Sequence, residues 1–280
     1  MGPIIAATDL SPRSDIALHR AAQIARATGA PLQIVHILDD EMPAAVLNDQ
    51  AEVLDHSLRT IVAAMDDVAS LSPQIDVEVG HVARLLPKIA TDRGASLIVL
   101  GSHRGRGLAD LFGSPTLSRV MGAVGVPILV AVTEPVMPWK KAIVGWDFSP
   151  AAEAAARLAV SLAPDVTLSL LHAWADPGLA GPYAFEMGGV ASGQTMQQLK
   201  GSLEEASKAL GHAPDVDGIP HDALVGNPAE VILRQARAER PDVLVIGRHA
   251  RSGIVRVLMG DTAARAALHA PCDVLIAPPD

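Results

Sequence analysis

Two kinds of site in this sequence carry residues able to do chemistry, and each occurs twice. The first is an apolar run ending in Asp-x-Ser-Pro, at Ile4-Ile5-Ala6-Ala7-Thr8-Asp9-Leu10-Ser11-Pro12 and at Ala142-Ile143-Val144-Gly145-Trp146-Asp147-Phe148-Ser149-Pro150. The second is Gly-x-His after another apolar run, at Gly101-Ser102-His103 and Gly247-Arg248-His249. Serine followed by proline suits a helix start: the hydroxyl caps free amides, and proline needs no donor at the first helical position. Asp9 and Asp147 beside those serines can cap the helix, contact a ligand, or do both. A glycine ending a strand lets the chain turn tightly, and alone it says little about ligands.

The other candidates read more plainly. His36 and His172 fall near strand ends and read as hydrogen-bonded residues at the edge of the core. His103 and His249 read as hydrogen-bonded loop residues with no second His, Cys or carboxylate at metal-ligand spacing, so no metal is expected. The arginines at 104, 106, 248 and 251 read as solvated loop charges with phosphate contact as the alternative, and Arg119 and Arg265 as surface salt-bridge partners. There is no G-x-S-x-G nucleophile elbow, no P-loop and no pair of catalytic carboxylates. Gly189–Gly193 has the letters Gly-x-x-Ser-Gly but no strand before it. Catalysis is therefore not the expectation.

The elements that must position these residues are arranged as a repeat. The Asp-x-Ser-Pro runs are offset by 138 (147 minus 9). From Gly80 onward a second block aligns without a gap at an offset of 146 (226 minus 80), pairing Gly101 with Gly247, His103 with His249, Thr116 with Thr262 and Arg119 with Arg265. Strands are expected at Pro3–Thr8, Leu32–Ile37, Ile75–Val79, Leu97–Leu100 and Ile128–Val132. Their counterparts are Ala142–Gly145, Thr167–His172, Gly218–Leu224, Val243–Ile246 and Val274–Ala277. Short β-branched runs alternating with helical periodicity are the pattern of βαβ units and a parallel sheet. A long helix is expected over Ala44–Leu71, with a counterpart near Thr195–Leu210 after a glycine-rich stretch from Pro177 to Gly193. The chain thus divides into domains at 1–134 and 139–280, joined by a linker whose two prolines favour an extended path. In an open parallel sheet, ligands bind beyond the carboxyl ends of the strands, which points to Asp9 and Asp147 and to Gly101 and Gly247.

Composition narrows the function classes. Nearly half of the 280 residues are apolar but only 2% are aromatic, so the cores are built from Ala, Val, Leu and Ile, as suits buried parallel strands. A formal net charge of −9 opposes a nucleic-acid partner. Cys272, the single cysteine, excludes an internal disulfide and reads as a small core residue at a strand start. The first residues lack the pattern of a signal peptide and no long apolar run suggests a membrane span, so no membrane partner and a cytoplasmic location are expected.

At these residues the sequence resembles the universal stress proteins of the tandem type. The carriers are strand-Asp-x-Ser-Pro, His36 and His172, Gly-x-Pro-Ala-Glu at Gly226–Glu230, and the Gly-x-His loop followed by a helix and an apolar last strand. The resemblance implies two flavodoxin-like (adenine nucleotide alpha hydrolase-like) α/β domains. Each has a five-stranded, mostly parallel sheet with helices on both faces, and a pseudo-two-fold relates them by pairing the last strands. It also implies, in the ATP-binding branch, a loop G-x-x-G-(nine residues)-G-[S/T] that holds phosphates, while the Asp after the first strand contacts adenine or ribose. Both copies depart from that loop. The second reads Gly247-Arg248-His249-Ala250, nine residues, then Gly260-Asp261-Thr262; the first ends in Ser114-Pro115-Thr116. Asp261 repels phosphate unless a cation bridges them, and Pro115 removes an amide donor. The second copy keeps more of the set, so any ligand is expected there.

The candidate binding residues are therefore Asp147, Gly247, His249, Gly260, Asp261 and Thr262, with Asp9, Gly101 and His103 in the first copy. The expected function is a non-enzymatic stress-response binding module. The alternatives are an ATP-binding protein with at most slow hydrolysis in the second domain, and a scaffold acting through Pro177–Gly193. The expected cofactor is ATP or another adenine nucleotide, with Mg²⁺ only as its companion. Tandem chains are expected to form a homodimer.

Overall fold

A computed structural model of the chain describes residues 1–38, 44–102, 125–174, 220–248 and 261–278, together with Gln197, Gly201 and Glu204. The first half runs β1 (Ile4–Thr8), α1 (Pro12–Thr28), β2 (Leu32–Leu38), α2 (Ala44–Ala63), α3 (Asp66–Ala69), β3 (Gln74–Val79), α4 (Val82–Asp92), β4 (Leu97–Gly101) and β5 (Ile128–Ala131). The second half runs β6 (Lys141–Gly145), α5 (Pro150–Leu162), β7 (Thr167–Trp174), β8 (His221–Val225), α6 (Pro228–Glu239), β9 (Val243–Gly247), α7 (Asp261–His269) and β10 (Asp273–Ala277). All ten strands join one sheet in the order β3-β2-β1-β4-β5-β10-β9-β6-β7-β8. Every pairing is parallel except that of β5 with β10, where the two halves meet. The architecture is the α/β arrangement of two tandem domains read from the sequence.

The register at the seam expresses the repeat directly. Val130 faces Val274, Leu129 faces Leu275 and Ile128 faces Ile276. Leu275 is the repeat counterpart of Leu129 (275 minus 129 is 146), so the pseudo-two-fold axis passes between a residue and its own copy. β-branched and leucine side chains alternate across the sheet and feed two cores. Ile4, Ala6, Ala142 and Val144 face α1 and α5, while Ile5, Ile98, Ile143 and Leu244 face α4, α6 and α7.

Local chemistry sets the helix ends. Ser11 and Ser149 cap α1 and α5 with proline at the next position. Asn227 caps α6 by accepting from the amides of Ala229 and Glu230 at 3.1 and 3.3 Å. Gly29 ends α1 in the left-handed region at φ 69°, where a side chain is disfavoured.

Three expectations require comment. The single helix over Ala44–Leu71 is broken: Met65 takes extended dihedrals, φ −100° and ψ 91°, and a separate turn, α3, follows. The break lets Val68 bury fully against α1, while Asp67 meets His19 at 2.8 Å and its carbonyl accepts from Arg26 at 2.8 Å. Tertiary packing here overrides helical periodicity. The eighth strand is described from His221 to Val225, and Gly218 and Ile219 of the expected range lie outside the described residues. Of the segment Thr195–Leu210, Gln197, Gly201 and Glu204 are helical and the rest lies outside the described residues, as does Pro177–Gly193.

The linker between the halves is pinned by a buried charge pair. Asp273, fully buried at the start of β10, lies 2.7 Å from Nε of Arg20 on α1, itself only 3% exposed. The contact is an ion pair in distance, but the Nε–H does not align with the carboxylate. Asp273 also accepts from the amides of Val132 and Thr133 at 2.8 and 3.2 Å and from the Trp139 indole at 2.9 Å. The Arg20 guanidinium lies 5.5 Å from the centroid of that indole and donates to the Met137 carbonyl at 3.3 Å. Burial pulls the Arg20 guanidinium below its usual range, against the opposing pull of Asp273. The positions related by the repeat hold Leu158 (20 plus 138) and Pro127 (273 minus 146), so the lock exists on one side of the axis only.

Candidate functional site

At the carboxyl edge of each half, Asp-x-Ser-Pro folds into the same turn. Asp9 Oδ1 accepts from the Ser11 amide at 3.0 Å, and Asp147 Oδ1 from the Ser149 amide at 3.1 Å. The residue between is held in the left-handed region although it is not glycine: Leu10 at φ 62° and Phe148 at φ 61°. That conformation is uncommon for bulky side chains and persists only where the surroundings enforce it. One enforcing contact comes from β2 and β7. His36 donates from Nδ1 to the Thr8 carbonyl at 2.8 Å, and His172 from Nδ1 to the Trp146 carbonyl at 2.7 Å. A carbonyl can only accept, so both imidazoles carry a proton on Nδ1.

The carboxylates are presented outward rather than used as helix caps; the serine hydroxyls serve that role. Burial works to raise the Asp9 carboxyl, but the hydrogen bonds from Ser11 and Ser14 outweigh it and hold the group below the usual carboxylate range. Asp15, one turn into α1, is pushed the other way, chiefly by desolvation.

Gly101 and Gly247 bring the second motif against the first. A methyl group on Gly101 would lie 2.7 Å from the Arg13 carbonyl oxygen, and one on Gly247 would lie 2.5 Å from the backbone carbon of Ala151. Their lack of a side chain is therefore required for the first turns of α1 and α5 to sit on the ends of β4 and β9, a stronger reason than the tight turn expected from sequence. The next residues repeat the contact, Ser102 donating to the Ala131 carbonyl at 2.8 Å and Arg248 to that of Ala277 at 2.7 Å. Arg248 is buried, and desolvation lowers its guanidinium from the usual range.

The comparison with known proteins decides the family. The sequence model of the universal stress protein family matches twice, over residues 1–131 and 138–278. The chain belongs to the universal stress protein family. It is 27% identical over 300 residues to a universal stress protein of Mycolicibacterium smegmatis, covering 99% of this chain and 97% of that one. It is 26% identical over 298 residues to one from Mycobacterium tuberculosis, covering 98% and 95%. Its fold superposes on the crystal structure of a universal stress protein from Archaeoglobus fulgidus with a TM-score of 0.72 at 16% identity, covering 99% and 98% of the two chains.

Within this tandem universal stress protein, Asp147 and Gly247 converge on the start of α5, and Asp9 and Gly101 on the start of α1. Asp261 and Thr262 open α7, whose free amides favour an anion. His103, His249 and Gly260 lie outside the described residues, as does the side chain of Asp261. Arg265 meets Glu230 at 3.5 Å, the surface pair expected of it; Arg119 is outside the described residues. Among the described residues no cluster of metal-ligating side chains occurs, and no helix is long and apolar enough to cross a membrane.

The two sites differ in the side chains around the carboxylate. In the first, Thr8 Oγ1 bonds Ser14 Oγ at 2.8 Å and accepts from the Leu10 amide at 3.0 Å. In the second, Trp146 and Ala152 occupy those positions. The indole is buried on the α5 side of the sheet, and Phe148, 40% exposed, lies with its ring centroid 5.1 Å from that of His172. Phe148 was legible only as the unspecified residue of Asp-x-Ser. Its left-handed backbone has no sequence signal.

Proposed function

We propose that this universal stress protein is a non-enzymatic stress-response binding module whose second domain takes an adenine nucleotide. The observation that supports this most is the turn at Asp147. Its carboxylate is exposed, its neighbour Phe148 is held at φ 61°, and the turn packs over the end of β9 at Gly247. Backbone strain of this kind, about 1–3 kcal/mol, collects at ligand-binding positions. Asp147 is assigned to the ribose or base, and Gly247, His249, Gly260, Asp261 and Thr262 to the phosphate end at the α7 N-terminus. Asp261 disfavours a bare polyphosphate there, so ATP would arrive with Mg²⁺. Asp9, Gly101 and His103 form the weaker counterpart in the first domain.

The module is assigned to the cytoplasm as a homodimer of tandem chains, without nucleic-acid or membrane partners. Calorimetric titration of the full chain with ATP, ADP and AMP is expected to give one site, lost in Asp147→Ala. Full binding in that variant, or no binding by the unaltered chain, overturns the assignment. Steady phosphate release abolished by Asp147→Ala would make the protein an enzyme instead.

A further inference from the structure

Building on that reading of the second domain, we infer that Trp146 and Phe148 are its specificity-determining residues. They recognise a planar base, so affinity resides in the base and its sugar rather than in the phosphates. The ligand class is a nucleoside or nucleoside monophosphate.

The first observation is an orphan donor. The Trp146 side chain is buried, the residue being 7% exposed, and its Nε1–H has no hydrogen-bond partner among the described residues. A buried donor without an acceptor is costly, and phenylalanine would supply the ring without that cost. An indole kept at this place indicates that an acceptor is supplied in another state, and the residue that follows it is the exposed Asp147.

The second observation is the aromatic beside it. Phe148 is 40% exposed with its ring tilted 51° against that of His172, and its left-handed backbone fixes the direction in which the side chain leaves the turn. A ring that is held in position and partly open offers a stacking surface to a base.

The third is the contrast within the chain. The backbone of the two turns is the same, with matching carboxylate, histidine and left-handed residue, yet the first domain closes its counterpart with a hydroxyl pair and a leucine. The aromatic set is confined to the second domain, whose loop carries Ala250 and Asp261, while the loop of the first domain departs further still, with Arg104 and Pro115 at the corresponding places. Within the second domain a stacking surface thus stands beside a loop that carries a charge repelling phosphate.

The test is calorimetric titration of the full chain with adenosine, AMP and Mg-ATP, for the unaltered protein and for Phe148→Leu and Trp146→Phe. Leucine already occupies the equivalent left-handed position as Leu10, and phenylalanine retains most of the buried ring, so both variants are compatible with the fold. The expected result is that the three ligands bind the unaltered chain within about tenfold of one another, and that each variant weakens all three by about tenfold or more, as loss of a stacking or hydrogen-bonding contact does. Mg-ATP binding more than a hundredfold tighter than adenosine, or Phe148→Leu leaving affinity unchanged, overturns this inference and leaves the adenine-nucleotide reading standing. Failure of all three to bind the unaltered chain overturns both.

Discussion

Replacing Asp273 by asparagine is expected to be among the most damaging conservative changes in the protein. The carboxylate is fully buried, accepts from four donors, the amides of Val132 and Thr133, the Thr133 hydroxyl and the Trp139 indole, and lies in ion-pair contact with Arg20. Asparagine retains one acceptor oxygen for the two amides but turns an NH₂ toward the indole and the guanidinium, both donors. Arg20 is then a buried cation that has lost its contacting counter-charge and feels only the more weakly acting Asp242. Removing one member of a buried pair costs about 3–5 kcal/mol, because the desolvation of the other remains. In a chain of this size that corresponds to a fall in melting temperature of roughly 6–20 °C, at about 2–4 °C per kcal/mol. Arg20→Leu, which installs the residue found at the symmetry-related position, should cost less, since Asp273 keeps all four of its hydrogen-bond donors. The double variant should recover part of the Asp273→Asn loss. The control is Arg157→Ala, which breaks an exposed pair with Glu153 and should cost no more than about 0.5 kcal/mol. Urea unfolding followed by tryptophan emission and by far-ultraviolet circular dichroism measures all four. A loss below about 1 kcal/mol for Asp273→Asn, or single effects that simply add in the double variant, would refute the account.

Other consequences are open to direct measurement. Gly247→Ala should lower stability by about 1–3 kcal/mol, the usual cost of overpacking, because its methyl group meets the backbone of α5 at 2.5 Å; a neutral result in urea unfolding would show that the α5 start can move. Asp9 should titrate below 3.8 by carbon-detected NMR. Since its folded value is depressed, its stabilising contribution is complete above 3.8 and is lost as pH falls through the folded value, and Ser11→Ala should move the titration upward. Burial pushes the Cys272 thiol up to about 12, so the native protein should resist iodoacetamide at pH 8, and Asp273→Asn should accelerate labelling by opening the adjoining seam.

Sequence gave access to these features unevenly. Repetition of Asp-x-Ser-Pro and the ungapped block from Gly80 made the two domains readable, because a shared fold constrains turns and strand ends in both copies alike. Helix starts at Ser11 and Ser149 were readable because capping depends on near neighbours. The break at Met65 was not, since it depends on Val68 reaching the α1 face across space. The reason for Gly101 and Gly247 was hidden likewise: what they avoid is the backbone of a helix more than eighty residues away in sequence. The place of Phe148 was hidden because it draws its significance from a dihedral angle and from His172 on the neighbouring strand. Arg20 and Asp273, separated by 253 positions (273 minus 20), carry no local signature at all.

That last pair also bears on what joining two domains in one chain permits. In an assembly of identical subunits every substitution at the shared interface happens twice, so an arginine buried on one side must be buried on the other, with its partner. A covalent tandem is freed from this obligation. Here one side of the β5–β10 seam keeps Leu158 and Pro127, while the other has acquired a charged pair and an indole drawn from the connecting segment itself. The seam can therefore be altered on one flank without the same alteration on the other. Two sheet edges that share one motif are thus free to be joined unequally to a common spine.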